Sequence, residues 1–362
     1  MNAGRAGRWG AVLAVLWGWA SGQAQEPRPV SSRVEGVDSA IARAVGFLVG
    51  VQDREGAIAD RGHNQTAMTA LGLMALAAVG HQPADETREG TAMRRALEFV
   101  LRPDRLDPQG YFGSRDGSRM YGHGIVTLML SEMLGMGVDA QQDQLLRERV
   151  RRAVDLILRA QAIRKDARNA GGWRYNPDSP DSDLSVTVWQ VMALRSARNA
   201  GLEVPKEAID QAVGYLERCY YSKRDAQGRP LNPKSAFAYE PNRAPEYAMA
   251  SAGLLAMQVC GKYDAPEVAG AADWLKERPL EVGGEWFFYG TYYYAQGMYQ
   301  RGGEYAAHAR KAVEEALLPI QDPDGAWRGR HGQERDAGRV YATSLAVLSL
   351  AVKHHYLPIY QR

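Results

Sequence analysis

The sequence predicts an all-α protein, a single α/α toroid in which six helical hairpins form an inner ring of apolar helices inside an outer amphipathic ring. Segments with one apolar stripe alternate along the chain with segments that are apolar on nearly all sides. The apolar segments also recur roughly every 45–60 residues, as in repeat folds. Their starts lie near Thr66, His123, Ser185, Tyr247, Thr291 and Tyr341. No linker or change of composition divides the chain, so we predict one domain over 37–362.

The first helix of each hairpin carries apolar residues three or four positions apart, which places them on one face. In the third of these helices, charged residues such as Arg147 and Glu148 fill the opposite face. Pro205 and Pro266 fit helix starts, where the missing proline N–H costs nothing. These helices are therefore predicted to form the outer ring. Their apolar stripes begin at Ile41, Met93, Leu146, Ile209, Val268 and Val313.

The second helix of each hairpin has no polar face, so protein must surround it. The predicted ranges are 66–79, 125–136, 185–197, 249–259, 292–299 and 342–352. If these helices run in one direction, the loops that enter them meet at one end of the ring, which we call the mouth. A closed ring would line a central cavity. An open helical solenoid is the alternative, and closure suits six repeats better.

Residues 1–24 have the pattern of a secretory signal peptide. Arg5 and Arg8 precede the apolar run 11–19, and a possible cleavage site ends at Ala24. The run is too short to span a bilayer. We therefore expect export, to the periplasm or the medium, after cleavage near Ala24, with 25–36 as a flexible mature N-terminus. An uncleaved anchor is the alternative.

Charge and cysteine content limit the partners and the sources of stability. The formal charge of +2 disappears when Arg5 and Arg8 leave with the signal segment, so we expect no nucleic-acid partner. Cys219 and Cys260 are predicted at opposite ends of an antiparallel helix pair, too far apart for a disulfide. We expect two free, buried thiols.

Glycine and aromatic residues recur in the loops between the two helices of a hairpin. Gln321, Gly325 and Trp327 match the Q-x-x-x-G-x-W repeat of squalene–hopene cyclases, and the segment from Gln52 to Ile58 keeps its Gln and Gly. Related signatures are Gly110-Tyr111-Phe112, Gly171-Gly172-Trp173 and Gly283-Gly284-Glu285-Trp286. On these motifs the chain resembles the prenyltransferase and squalene-oxidase repeat proteins over roughly residues 37–355. The resemblance implies an α/α toroid.

The resemblance also implies a candidate catalytic acid. Asp181 and Asp183 resemble the D-x-D-D motif of class II terpene cyclases, whose middle Asp protonates an alkene or epoxide, but Leu184 replaces the last Asp. By this match Asp183 would be the acid and Asp181 its neighbour. The alternative is that Asp183 caps the helix that follows it. The chain also has room for one toroid, whereas squalene-type cyclases have two. The Asp-x-Cys of protein prenyltransferases and the thioester motif of complement-like domains are absent.

Candidate ligand-binding side chains gather at the predicted mouth and in the cavity. They are His63, Tyr121, His123, Trp189, Glu246, Tyr247, Tyr289, Tyr292, Tyr293, Arg339 and Tyr341. Aromatic walls could stabilise a carbocation or stack on sugar rings, and helix N-termini favour anionic groups. The plainer interpretations are that His63 and His123 satisfy backbone groups, that the tyrosines pack the core, and that the arginines are solvated. We expect no metal site, since no H-E-x-x-H or Cys pairing occurs.

The leading functional hypothesis is a terpene-cyclase-like protein that binds a small apolar, isoprenoid ligand in its cavity without a cofactor. If catalytic, it would cyclise that ligand through protonation by Asp183. The first alternative is a carbohydrate-active enzyme in which Asp183 faces Glu246 or Asp336 across the cavity. The second is a non-catalytic binding or scaffold protein of the cell envelope, which a cavity filled by its own side chains would favour. Association with a membrane surface and a protein partner are left open.

Overall fold

The computed structural model describes residues 31–354 and 356–360, with side chains placed for 36–354 and 356–359. Within these ranges all regular elements are helical, and strand pairing is limited to isolated bridges. The predicted signal segment lies outside the described residues. The first helix begins at Ser31, ahead of the domain start predicted at residue 37.

Six hairpins follow one another along the chain. They are α1 (Ser31–Gly50) with α2 (Gln65–Ala78), α3 (Arg88–Leu101) with α4 (Arg119–Glu132), α5 (Ala140–Ala162) with α6 (Leu184–Asn199), α7 (Lys206–Cys219) with α8 (Tyr247–Val259), α9 (Pro266–Lys276) with α10 (Phe287–Arg301), and α11 (Gly303–Leu317), followed by the short α12 (Gly332–Ala337), with α13 (Arg339–Leu350). Short 3-10 helices cover Pro103–Arg105, Phe112–Ser114, Leu318–Ile320, Ala351–His354 and Pro358–Tyr360.

The second helices of the hairpins form a closed ring. Each helix contacts the next in the order α2, α4, α6, α8, α10, α13, and α13 contacts α2. This closure confirms the predicted α/α toroid and excludes the open solenoid. Because one outer helix separates each inner helix from the next, the inner helices run in one direction and begin together at the mouth.

The burial pattern explains which helix occupies which ring. Every residue of α2 from Thr66 to Ala78 is buried, whereas α7 buries Ile209, Val213 and Leu216 on one face only. Inner helices also approach each other closely. A Cβ at Gly124 of α4 would lie 2.8 Å from the Cβ of Trp189 on α6, so this contact requires glycine.

The Q-x-x-x-G-x-W motif joins neighbouring repeats. The side-chain amide of Gln321 donates to the carbonyl oxygens of Gly325 and Ala40, both at 2.8 Å, and thereby ties the last hairpin to α1. Gly325 has a φ of +90°, and a Cβ there would overlap the carbonyl oxygen of Arg43. The indole N–H of Trp327 donates to the carbonyl oxygen of Leu317 at 2.8 Å. The motif therefore fixes the seam at which the ring closes.

The same bonds recur where the sequence motif is incomplete. The amide of Gln52 donates to the carbonyl oxygens of Gly56 and Ala92, at 3.0 and 2.8 Å. Gln161 makes the equivalent bonds to Gly171 and Ala208, both at 2.9 Å. Gln161 could not be recognised from the sequence, because a long insertion separates it from its glycine.

The C-terminal segment 356–360 crosses the end of the ring opposite the mouth. Leu357 and Ile359 are buried there, and the Ile359 N–H donates to Glu132 Oε2 at 3.1 Å. A cavity of about 10 Å³ remains between this segment, α10 and α13. Cys219 is buried and Cys260 half-buried, and both are free, as predicted. None of the helices in the described part of the chain is long and apolar enough to cross a membrane.

Candidate functional site

Asp183 is the N-cap of α6. Its Oδ1 accepts hydrogen bonds from the backbone N–H of Val186 at 2.8 Å and from the hydroxyl of Ser185 at 2.6 Å. The side chain is fully buried. The geometry of this carboxyl is that of a helix cap, which is the alternative to a catalytic role.

Arg174 connects Asp183 to two further carboxyls. Its Nη1 lies 3.4 Å from Asp183 Oδ2 and 3.1 Å from Glu240 Oε1, and its Nε lies 3.4 Å from Asp181 Oδ2. The guanidinium also lies over the ring of Tyr175, 4.7 Å from its centroid. Neither Arg174 nor Glu240 could be recognised from the sequence, because Glu240 lies in a long loop more than sixty residues away and its side chain meets Arg174 only in the fold.

The surroundings of Asp183 act on its protonation in opposite directions. Burial raises the pKa of the Asp183 carboxyl, while the Ser185 hydroxyl, the Val186 N–H, Arg174 and the Tyr239 hydroxyl lower it. Asp183 Oδ2 accepts no hydrogen bond within the described residues and faces Arg174. An acid that protonates an alkene needs its proton directed at an open apolar site. Here the one oxygen without a hydrogen bond is directed at a cation instead.

Aromatic side chains fill the lumen of the ring below the mouth. Trp189 on α6 stacks on Tyr292 of α10, with ring centroids 5.8 Å apart and an interplanar angle of 8°. The Trp189 indole N–H donates to the Tyr289 hydroxyl at 3.2 Å, and that hydroxyl donates to the Ser185 carbonyl at 3.0 Å. Because α8 lies between α6 and α10 in the ring, these contacts cross the lumen. Trp189, Tyr292 and Tyr293 are at most 1% exposed.

This packing corrects the expectation of an open central cavity. Trp189, Tyr289, Tyr292 and Tyr293 were predicted to line a ligand space, and the structure brings them together in contact with one another. The side chains of Trp189 on α6 and of the three tyrosines on α10 are long enough to meet inside the ring. They occupy the volume that a ligand would need. The periodic pattern in the sequence could not distinguish lining a space from filling it.

His123 faces the outer ring. Its Nδ1 accepts the Phe112 N–H at 3.3 Å, and its Nε2 donates to the Ala153 carbonyl at 3.1 Å. Burial lowers the pKa of His123 to about 4, which keeps the ring neutral. Neither nitrogen is left for a ligand, so His123 satisfies backbone groups, the plainer of the two interpretations.

Threonines take the place of His123 in other repeats. Thr69, Thr187 and Thr343 each accept, through the hydroxyl, a backbone N–H of the preceding loop. The donors are Ile58, Trp173 and Trp327, at 3.0, 3.0 and 2.9 Å. The loops of four hairpins are thus anchored on inner helices by one kind of bond, and His123 is one of its acceptors.

The remaining predicted residues divide between the mouth and its outer rim. Tyr121 and Tyr341 are half-buried at the mouth, where the Tyr121 hydroxyl bonds to the Ser185 hydroxyl. His63 and Glu246 are exposed. Tyr247 packs against Tyr294, with centroids 5.7 Å apart. Arg339 pairs with Asp324 at 2.6 Å and covers the ring of Phe47 on α1, so its guanidinium faces outward.

Carboxylates of the protein itself occupy most inner-helix N-termini. Asp60 accepts the Arg339 and Val340 N–H groups of α13 at 2.7 and 3.2 Å. Glu334, Asp116 and Asp183 cap α10, α2 and α6 in the same manner. The expectation that these helix ends attract an anionic ligand is therefore wrong for four of the six, since an internal carboxylate already interacts with each dipole.

Left-handed backbone conformations concentrate at the mouth. The non-glycine residues with positive φ in the described ranges are Asn64, Arg119, Asn242 and Trp286. Arg119 is the first residue of α4, and the other three lie in loops that enter an inner helix. Trp286, at φ +61°, is the least suited of them because its side chain is bulky. Strained residues of this kind cluster at functional surfaces.

No group of three His, Cys, Asp or Glu side chains in 31–354 and 356–360 is arranged to hold a metal ion.

Solved structures of unlike activities share this fold. A variant of the type II terpene cyclase MstE from Scytonema, bound to its product merosterolic acid A, is 15% identical, with a TM-score of 0.58 over 91% of this chain and 100% of its own. An inactive variant of an α-1,6-mannanase of Salegentibacter sp. HEL1_6, bound to α-1,6-mannotetrose, is 11% identical, with a TM-score of 0.60 over 88% and 99%.

Cellobiose 2-epimerase from Bacillus thermoamylovorans is 12% identical, with a TM-score of 0.61 over 89% of this chain and 99% of its own. No protein-family model and no curated protein sequence matches the chain. At these identities the likeness shows the fold alone. The chain is an α/α toroid, the fold that these three proteins share.

Proposed function

We propose that this protein is a binding protein without catalytic activity, which recognises its ligand at the mouth of a filled toroid. The observation that carries the proposal is the stack of Trp189 on Tyr292 across the lumen. Ligand pockets usually hold about 300–1,000 Å³, and an isoprenoid chain needs a continuous apolar one. The side chains at this level leave no such space, since Trp189 and Tyr292 are at most 1% exposed.

The carboxyl groups at the mouth support the same proposal. A glycosidase places two carboxyls on opposite sides of the scissile bond. Asp183 and Glu240 instead meet at one guanidinium nitrogen of Arg174, so they lie on the same side. This arrangement holds Asp183 and Glu240 together at one cation and does not set these two carboxyls apart as an acid and a base.

The competing function is isoprenoid cyclisation by Asp183. Two observations favour it: the carboxyl is buried at the entrance of an inner helix, and burial raises its pKa. The likeness to a terpene cyclase also supports it. The bonds of Asp183 to Ser185, Val186 and Arg174 count against it. We further propose that the protein is exported, on the pattern of residues 1–24.

Product analysis distinguishes the two functions. The protein is incubated with squalene and with geranylgeranyl diphosphate, and extracts are examined by gas chromatography–mass spectrometry. We expect no cyclised product from the wild type. A cyclic product that Asp183→Asn abolishes would overturn the proposal, because that variant keeps an oxygen to accept the Ser185 and Val186 bonds while it loses the acid and the charge that faces Arg174.

Unfolding measurements supply the control for this experiment. Asp183→Asn should lower the free energy of unfolding less than Asp183→Ala does, because both variants lose the charge that faces Arg174 and only Asp183→Ala also loses the cap, which is worth about 1 kcal/mol. Thr87→Ala provides a matched cap deletion on the outer helix α3, where the Thr87 hydroxyl accepts the Gly90 N–H at 3.0 Å. A cost for Asp183→Ala below that for Thr87→Ala would contradict the structural role of Asp183.

A further inference from the structure

A row of aromatic rings crosses the mouth, and all of them are half-buried except Tyr289, which is buried. The hydroxyls of Tyr175 and Tyr239 are 2.6 Å apart, and the rings of Tyr175 and Tyr121 have centroids 5.9 Å apart. Tyr121 and Tyr289 both bond to Ser185, and the Tyr289 ring contacts Trp286, at 6.2 Å between centroids. Half-buried rings of this kind offer an apolar face and a polar edge.

Hydrogen-bonding groups stand beside these rings. The side chains of Arg174 and Glu240 are 20% and 21% exposed, and that of Asp181 is 50% exposed. At the base of the group, the fully buried Asp183 Oδ2 lies 3.4 Å from Arg174 Nη1 and helps to hold the guanidinium in place. The mouth therefore presents donors and acceptors together with flat apolar surfaces.

The charges at the mouth restrict the class of ligand. An anion would meet Asp181 and Glu240, and four inner-helix N-termini are already capped by carboxylates. A cation would have to displace Arg174 from these carboxyls. An apolar chain would take the charges out of water without replacing their hydrogen bonds, which is costly.

We propose that the mouth binds a neutral oligosaccharide. Its hydroxyls donate to Asp181 and Glu240 and accept from Arg174, while the C–H faces of its rings stack on the half-buried rings of the aromatic row. A sugar alone among these classes matches both the flat rings and the mixed polar groups without adding charge. This inference rests on the proposed function and specifies its ligand.

Indole N–H signals of the full chain, labelled with 15N, report where a ligand binds. Trp286 lies at the mouth, Trp189 in the lumen and Trp274 on the outer helix α9. The probes are cellotriose and mannotriose, with trigalacturonate as the acidic counterpart and squalene as the apolar one. The variants are Asp181→Asn at the mouth and Asp264→Asn, an exposed residue at the opposite end of the ring.

We expect a neutral trisaccharide to shift the Trp286 signal saturably and to leave the Trp189 and Trp274 signals in place. Asp181→Asn should weaken binding at least tenfold, while Asp264→Asn should not change it. Trigalacturonate binding as tightly at Trp286 would overturn the neutral-sugar assignment and leave binding at the mouth standing. Squalene shifting Trp189 would overturn both this inference and the proposed function. If neither trisaccharide moves Trp286, the inference is wrong.

Discussion

At the scale of single residues, Trp286 shows how the mouth is held in shape. It has a left-handed backbone conformation immediately before α10. Glu334 stabilises this turn by accepting the N–H groups of Phe288 and Tyr289 at 3.2 and 2.9 Å. The turn places the Trp286 ring beside Tyr289, half-exposed at the mouth. A bulky residue in this conformation costs about 1–2 kcal/mol, which the surrounding bonds must offset.

Glycine and alanine substitutions at Trp286 should reveal this strain. We expect Trp286→Gly to be more stable than Trp286→Ala by about 1 kcal/mol, because glycine alone adopts a φ of +61° without a clash. The order should reverse at the exposed Arg310 in α11, where alanine is the better helix former by about 1 kcal/mol. Urea unfolding of the four variants tests both signs. If the alanine variant were more stable than the glycine variant at both positions, Trp286 would carry no strain.

Residue roles could be predicted from the sequence only where they are local. The cap by Asp183 depends on the residues that follow it, so the sequence suggested it. The pairing of Arg174 with Glu240 joins residues far apart in the chain, and no periodic pattern indicates it. The position of His123 at the start of an inner helix made it a candidate ligand-binding residue, whereas its hydrogen bonds show that it replaces a threonine.

At the scale of elements, the sequence predicts which helices belong to the inner ring and which to the outer ring, but not where each helix begins. The alternation of one-faced and wholly apolar helices depends on local spacing, and it identified both rings. Two inner helices begin earlier than the predicted apolar ranges, α4 at Arg119 and α10 at Phe287. Their first turns contact loops that are near them only in the folded protein, so the local apolar pattern does not mark these starts. The C-terminal segment carries no strong pattern, and its place across the ring was not foreseen.

Glu132 links that C-terminal segment to the inner ring. It accepts the Ile359 N–H and the Ser196 hydroxyl, and its carboxyl is 3% exposed. Burial raises the pKa of Glu132 from 4.5 to about 7, against the effect of these two bonds, and no charged side chain contributes. The folded state therefore binds a proton more tightly than the unfolded chain does. The stability that this proton contributes is complete below about pH 4.5 and is lost as the pH rises towards 7.

Glu132→Gln should remove this pH dependence, because the amide oxygen still accepts the Ile359 N–H and cannot ionise. We expect the two proteins to have similar stability at pH 5, and the variant to be more stable at pH 8 by up to roughly 3 kcal/mol. Urea unfolding at both pH values measures the difference. Glu98→Gln, at an exposed position of α3, serves as the control. An equal difference between wild type and Glu132→Gln at pH 5 and pH 8 would refute the assignment.

At the scale of the whole molecule, closure and filling follow from different features. Closure brings α13 against α2, and the amide of Gln321, part of the motif recognised in the sequence, joins the last repeat to α1. Filling depends on side chains that meet from α6 and α10 across the ring, and such a meeting is invisible in a repeat pattern. The fold could therefore be predicted, whereas the state of the lumen could not.

Removing Trp189 should convert the filled toroid into one with a cavity. We expect Trp189→Ala to lower the free energy of unfolding by about 3–5 kcal/mol, as for other buried tryptophans. Indole should then bind in the vacated space, because it restores the stack on Tyr292 and the N–H bond to the Tyr289 hydroxyl. At about 100 times its dissociation constant it would return about 2.7 kcal/mol, which thermal unfolding detects.

Two comparisons make this test specific to the lumen. 1-Methylindole has no N–H to donate to Tyr289, so it should stabilise Trp189→Ala less than indole does. The wild type should respond to neither compound, because its own indole occupies the site. If indole raised the unfolding temperature of the wild type as much as that of the variant, the lumen would have room for a ligand beside Trp189. Binding inside the toroid, and with it the cyclase hypothesis, would then be the better account of the protein.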